Sequence, residues 1–557
     1  MAYTKLRTIK KGLLIEMVYK LQSKEHGDCR KVSILVYICC TASIADYMSK
    51  AGSHTLFQLI QALSQTEKRY IKVFLQKQVL GDRDNYLALF DAINKQEVYD
   101  ENKLKNFSHL AVMKVRLEEY ILCSLQEYHA EKSIRAKLSK EIHSVEILFQ
   151  KGLFDLALRQ IKKSKKTAEH YEEFVALFEL LKWEIKIINA QGFVTVTDEE
   201  LQKLYKEAEH SLAKELNALA YCRFSFTIYL QMRKYGFFRD KEELKKFGQI
   251  MEDPLLKSED KALSVEAKYY YYSSHIGFAN LEGDYRKGEI NTLKILKVLE
   301  GYPQLVEKEP RHWISMQQNA CVWQFYFKEY GETRHLLEKL KQFLIEHRTS
   351  LSKSLFSRTF YYINTSLLCV YIRTGEYEKG LSEVAKFEKE FIEFKLTPLS
   401  VEEKWKFYEA TATVYFGAQK YSEAVKYLNK IINDKDTDVR RDMQATARIF
   451  SLIAHYELGN QELLRYMVKW TYHFLSKRQI VFKFESIILD FIGKKSRQMD
   501  TRKKTIEAFK ELKEELVKLL PDPYERRPLD EFEFIEWLES KIENKPFAEI
   551  IKKKNNK

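Results

Sequence analysis

Proline and glycine are both scarce in this chain: 8 and 18 of 557 residues, with no proline before Pro254. Proline breaks a helix by removing an N–H and clashing with the preceding turn. Nothing of that kind interrupts the first 253 residues. An all-β chain needs turn residues at short intervals, so that class is excluded. The motifs G-x-x-x-x-G-K-[ST] and G-x-G-x-x-G are absent, which leaves no glycine-rich backbone cradle for a phosphate. H-E-x-x-H and G-x-S-x-G are also missing, and with them the sequence marks of a zincin or a nucleophile elbow.

The seven cysteines (Cys29, Cys39, Cys40, Cys123, Cys222, Cys321 and Cys369) form no C-x-x-C pair. They read as small buried hydrophobes in a reducing compartment rather than as a disulfide framework or metal site. Long apolar runs are lacking too. The segment Val32 to Ala45 (VSILVYICCTASIA) has fourteen residues, short of the ~20 that span a bilayer. It lies too far along the chain for an ordinary secretory signal, which ends by about residue 30. The expectation is no membrane span and a cytoplasmic protein. Two starts of the mature chain are open, Met1 and Met48, the second lying just before SHTLFQLIQALSQTEKRYIKVF.

What is present is a long, well-mixed chain. It is 45% hydrophobic and 31% charged, hence neither disordered nor membrane-embedded. Lys and Arg number 93 against 79 Asp and Glu, a net charge of +14. With both signs interleaved, that excess permits an acidic partner or nucleic acid without requiring either. Such a length exceeds one ordinary core, a limit that stacked repeats escape because each unit buries its apolar face against its neighbours.

Residues 53–138 read as a helical leading domain behind an atypical extension, 1–52. Ser64 and Glu67 have capping-box spacing, and Tyr70, Val73 and Phe74 follow at helical spacing. Gly81-Asp82 breaks the run; Tyr86, Leu87, Phe90 and Ile93 restart it. Val115, Tyr120, Leu122 and Leu125 mark a further amphipathic helix. Periodicity starts near residue 139. Candidate helix-ending residues are Gly152, Gly192, Gly236, Gly283, Gly331, Gly375, Gln419 and Gly459, at intervals of 40, 44, 47, 48, 44, 44 and 40. Glycine suits the left-handed residue that closes a helix. GLFDLAL (152–158), GDYRKGE (283–289), GEYEKGL (375–381) and QKYSEAV (419–425) share a pattern: a turn residue, an aromatic two places later, and Ala or Gly three after that.

This pattern resembles the junction between the two helices of a tetratricopeptide repeat, G-x-Y-x-x-A, over residues 139–478. Tyr371 and Tyr415 lie four residues before their turns, as the family's tyrosine does, and Pro254 and Pro303 fall near where it ends its second helix. The turns at Gly192, Gly331 and Gly459 lack the signature, and the period near 44 exceeds the family's 34. Helices of about 18–20 residues, roughly 27–30 Å long, are therefore expected. From the leading segment TLFQLIQALSQTEKRYIKVF onward, the chain also resembles a family of uncharacterised bacterial proteins with tetratricopeptide-like repeats. The resemblance implies an all-α fold: a right-handed superhelix (solenoid) of antiparallel helical hairpins with a small helical N-terminal domain.

Single helices agree with this. Tyr377, Leu381, Val384, Phe387, Phe391 and Phe394 form one apolar stripe. Thr197 with Glu200 and Ser400 with Glu403 have capping-box spacing. Residues 479–557 read as C-terminal capping helices, with Ile506 to Leu519 on one and Phe532 to Leu538 on another. The basic tail IIKKKNNK is expected to fray.

Three features invite sharper readings. His143 and Glu146 share a helix face, but zinc needs at least three protein ligands. Arg159, Lys162, Lys163, Lys165 and Lys166 (RQIKKSKK) could bind phosphate; a charge run on a helix is more often its solvent face. Tyr269 to Tyr272 wrap right round a helix, so they cannot share one groove, and core packing is expected. No catalytic, cofactor-binding or metal residue is assigned. The function expected is a non-enzymatic scaffold holding a partner protein or peptide on the concave face of the superhelix. The alternative is a nucleic-acid binder using the basic surface. A hydrolase site between the leading domain and the first hairpins is a third reading, which no motif marks.

Overall fold

The computed structural model describes residues 54–78, 83–130, 133–194, 196–235, 241–394, 396, 400–434, 441–477, 483–493, 501–522, 525–526, 529 and 532–555. The apolar segment 32–45, Met48, Gly81-Asp82 and Gly236 lie outside them. Among the described residues there is no strand, and no helix is long and apolar enough to cross a membrane. The protein is all-helical, in two compact units, Met1–Ser144 and Val145–Lys557.

In the first unit, helices 54–62, Gln65–Gln78, Arg83–Asn94 and Leu110–His129 share a core of Ile60, Ile71, Leu75, Phe90, Leu117 and Ile121. The Ser64–Glu67 capping box forms: Ser64 N donates to Glu67 Oε2 at 2.7 Å and Glu67 N to Ser64 Oγ at 3.2 Å. Helix Leu110–His129 turns a different face inward from the one read in the sequence. It buries Met113, Leu117 and Ile121, while Val115 and Leu122 are exposed. Apolar residues occur on several sides of this helix, and its neighbours determine which side is covered. Lys114 is buried among them, held by Glu101 at 2.6 Å and the Tyr99 hydroxyl at 2.8 Å.

In the second unit, consecutive helices pack on one another from Phe154–His170 to Phe547–Asn555. Alternate helices also touch: Lys353–Thr374 packs on Val401–Gly417, and that on Arg441–Glu457. Most helices are 16 to 18 residues long, like Phe154–His170 (17) and Val265–Glu282 (18). Left-handed residues close the turns at Gly152, Gly192, Gly283, Gly375, Gln419 and Gly459, with φ from 61° to 75°. One expected turn is misplaced. Gly331 lies inside helix Tyr330–Glu346, and the left-handed residue is Lys328, φ 63°. Counted from Lys328, the aromatic stands in its place, Tyr330, while buried Thr333 occupies the position where the signature has Ala or Gly.

The junction signature has a packing cause. A Cβ on Gly288 would lie 2.7 Å from the Trp323 ring, and one on Gly380 would lie 2.9 Å from Val414 Cγ1. A Cβ on Gly417 would enter the Tyr377 ring. Gly288 and Gly380 thus admit side chains of the following helix pair, and Gly417 one of the preceding pair, so the close approach is between successive pairs. Trp323 is fixed in place by its indole N–H, which donates to Thr292 Oγ1 at 2.8 Å. The stripe on Tyr377–Glu393 is as read: Tyr377, Val384 and Phe387 are buried, and Leu381, Phe391 and Phe394 pack beside them.

The C-terminal segment lies along the row of turns. Phe532 packs on Phe416 and Phe450, and Phe547 stacks on Tyr377. Trp537 Nε1 donates to Glu457 at 2.6 Å, and buried Glu533 meets Arg373 at 3.0 Å. The tail does not fray through Asn555. Helix Phe547–Asn555 buries Ile550 and Ile551 against the unit, and Lys554 pairs with Glu536 at 2.8 Å.

The position of the turn at Lys328 is testable by denaturant unfolding. Lys328→Gly should stabilise the protein by about 0.5–1 kcal/mol, because glycine relieves the left-handed strain. Gly331→Ala should be neutral or stabilising by a similar amount, since a Cβ there meets nothing within 4 Å. A turn at Gly331 would reverse both signs.

Candidate protein-docking face

The longest helix, Asp198–Tyr235, has 38 residues, about twice the length expected from the repeat period. It starts on the Thr197–Glu200 capping box: Thr197 N donates to Glu200 Oε2 at 3.0 Å, and Glu200 N to Thr197 Oγ1 at 3.2 Å. The two Thr197 donors hold the Glu200 carboxyl below its usual value, and Asp198 and Glu199 sit where the helix dipole favours anions. Neither Gly nor Pro occurs between residues 198 and 235, so nothing breaks the helix where a turn would have fallen.

One side of this helix is core. Leu204, Ala208, Ala218, Tyr221, Phe224 and Ile228 are buried, and the helix packs on Phe174–Ala190 and Val265–Glu282. Tyr221 donates to the Leu255 carbonyl at 2.8 Å. Asn217 bridges the Lys261 carbonyl and the Leu263 N–H, each at 3.0 Å. These bonds clamp the 3-10 turns after Gln249 to the helix.

A second apolar row lies in water. Tyr205, Leu212, Leu216, Leu219, Phe226 and Leu230 are between 40% and 64% exposed. With exposed Glu209 and Arg223 filling the two gaps, the row advances in steps of 4, 3, 4, 3, 4, 3 and 4 residues. That is a heptad seam, about 100° round the helix from the buried row. Phe226 also meets the edge of Tyr270 at 5.8 Å. Single exposed apolar side chains are ordinary, but a contiguous stripe marks an interaction surface. Helices of about 18–20 residues, as the repeat period implies, are too short to display this seam. Its signal was legible all the same, as a second apolar row offset by one residue from the first.

The features singled out in the sequence are dispersed. Of the basic run, Arg159, Lys162, Lys163 and Lys166 are exposed. Lys165 turns inward between Glu184 and Glu207, 3.2 Å from each. Burial opposes its charge, but the two carboxylates outweigh that and raise its pKa. His143 is exposed and Glu146 half-buried, and no group of three potential metal ligands occurs among the described residues. Tyr269, Tyr271 and Tyr272 are buried and Tyr270 half-buried, so the run is mainly core.

The reactive side chains that are buried are held inert. Cys123, Cys222, Cys321 and Cys369 are free thiols. Burial pushes Cys321 up to about 12 and Cys369 up to about 11, so both stay protonated at neutral pH. Cys123 is exposed, contrary to the buried role expected for the cysteines. Glu172, raised by burial, caps helix Val265–Glu282 by accepting from Val265 N at 3.0 Å. A second aromatic pair, Tyr466 and Trp470, is exposed on helix Gln461–Lys477. The chain matches no protein-family model and no curated protein.

His312 offers a pH test of the packing beside the seam. It stacks on Tyr269 at 3.8 Å, and burial, reinforced by Arg311 and Lys308, lowers its pKa from 6.5 to about 4. The unfolded chain therefore binds more protons between these values, so stability is full above 6.5 and falls as pH drops toward 4. His312→Phe should flatten that part of the curve. Urea midpoints for both proteins from pH 7 to 4 that fall in parallel would contradict it.

Proposed function

We propose that this chain is a non-catalytic scaffold that binds a partner protein through the exposed seam of helix Asp198–Tyr235. Its helix pairs are then antiparallel hairpins stacked in a right-handed, tetratricopeptide-like superhelix. Support for the stack comes from contacts between next-but-one helices and from left-handed turns at near-regular spacing. Free thiols at the four described cysteines accord with a reducing, cytoplasmic setting.

The observation that carries the reading is the seam itself. Six large apolar side chains share one exposed face of one rigid helix. Covering such surface is favourable by about 25 cal/mol per Å² of apolar area. A helix in the partner, laid along the groove, would supply that cover through anchors at i, i+3, i+4 and i+7 spacing. The basic excess, by contrast, is spread over the surface, and part of the densest basic run is neutralised by Glu184 and Glu207.

Crosslinking of the full chain in a lysate, read by mass spectrometry, tests this. Lys203 and Lys206, exposed on the same helix, should crosslink to another polypeptide, and Leu216→Asp should remove those crosslinks while leaving the helical content unchanged. Crosslinks that survive Leu216→Asp would contradict the reading. So would retention on RNA or DNA whose affinity falls steeply with salt, which is the behaviour of a nucleic-acid binder.

A further inference from the structure

We infer that the seam is covered by the same helix of a second copy of this chain, running antiparallel about a two-fold axis through Leu216. The inference rests on the reading of the seam as a protein-docking face and names its occupant.

The spacing points to a helix. A row repeating every 3.5 residues stays in contact with another helix only if the two wind round each other. Here it does so from Tyr205 to Leu230, ~38 Å of helix. The charges point to this helix in particular. Glu209 and Arg223 each lie seven residues from Leu216, on opposite sides of it, and both are exposed. Neither makes an ion pair among the described residues. An antiparallel two-fold about Leu216 sets Glu209 against the partner copy's arginine at 223, and does so twice. A parallel pairing would set Glu209 on Glu209 and Arg223 on Arg223, which repels.

Size follows the same symmetry. About Leu216, Leu212 falls opposite Ala220 and Leu219 opposite Ala213, so these two leucines each meet an alanine. Phe226 falls opposite Lys206, whose aliphatic stem can cover the ring and whose ammonium can lie over it. A foreign helix would have to reproduce this alternation, whereas a second copy carries it already. Such self-complementarity is the property of an isologous interface, in which one patch serves both subunits.

Sedimentation equilibrium of the full chain, over a wide range of concentration, is the test. The mass expected is twice the 66.3 kDa of the single chain. Glu209→Arg alone, or Arg223→Glu alone, creates like-charge contacts at both crossings and should weaken association by at least ~tenfold. Mixing the two variants should restore a dimer, because each then supplies the charge the other needs. The double variant E209R/R223E should also self-associate. Circular dichroism checks that every variant keeps its helices.

A wild-type mass of one chain at all concentrations would overturn the inference, as would single variants that associate like wild type or a mixture that does not recover. The two readings fail separately. A chain that stays monomeric, yet loses its crosslinks to another protein on Leu216→Asp, has a foreign helix on the seam. That removes the second copy and keeps the docking face. A chain with no Leu216-dependent contact of any kind removes both.

Discussion

A left-handed turn residue, followed by an aromatic and then by a residue small enough to admit a neighbour, recurs through the larger unit and sets its geometry. At Gly375 the sequence of events is complete: the chain reverses, Tyr377 fills the space at Gly417, and Gly380 lets Val414 approach. The same elements recur at Gly283 with Gly288 and Trp323. Because Gly288 and Gly380 each receive a side chain from the next helix pair, one unit's turn also fixes the position of the unit after it. Adding a Cβ at such a contact forces a shift in a close-packed interior.

Beyond Gly192 the fold does something different. Between Gly192 and the 3-10 turns after Gln249, the chain carries the helix of 38 residues and then a short one, Lys241–Gly248. The neighbours of the long helix, Phe174–Ala190 and Val265–Glu282, pack on it, but they cover one row of its apolar residues and leave the adjacent row in water. The candidate docking face thus follows from a helix twice the usual length. At the other end of the unit, the C-terminal segment lies over the turns at Gly375 and Gln419 and ties Glu533 to Arg373 in a buried pair. Burial raises the Glu533 carboxyl against the pull of Arg373, so that contact is a restraint whose breakage would leave a charge uncompensated.

Much of the architecture was legible because its causes are local. All three capping boxes read from spacing are present, at Ser64, Thr197 and Ser400, since a cap depends on residues three apart. Turns were found where glycine marks the left-handed residue, and at Gln419 because the signature around it is intact. Lys328 escaped notice because a lysine in that conformation leaves no compositional trace, while the nearby Gly331 offered a false one. Which face a helix buries was less legible. Val115 and Leu122 were read as core and are exposed, because apolar residues occur on several sides of Leu110–His129 and its neighbours decide which are covered. The seam on the long helix is obscured for a related reason: its residues lie one position from a buried row, so the two rows merge into one broad apolar band in the sequence.

The seam exists only if residues 198–235 form one continuous helix. Spin labels at Lys203 and Gln231, in chains diluted with unlabelled protein, measure this directly by dipolar spectroscopy. A continuous helix places these positions ~42 Å apart. Two helices folded back on each other would bring them within roughly 20 Å, and that shorter distance would contradict the account.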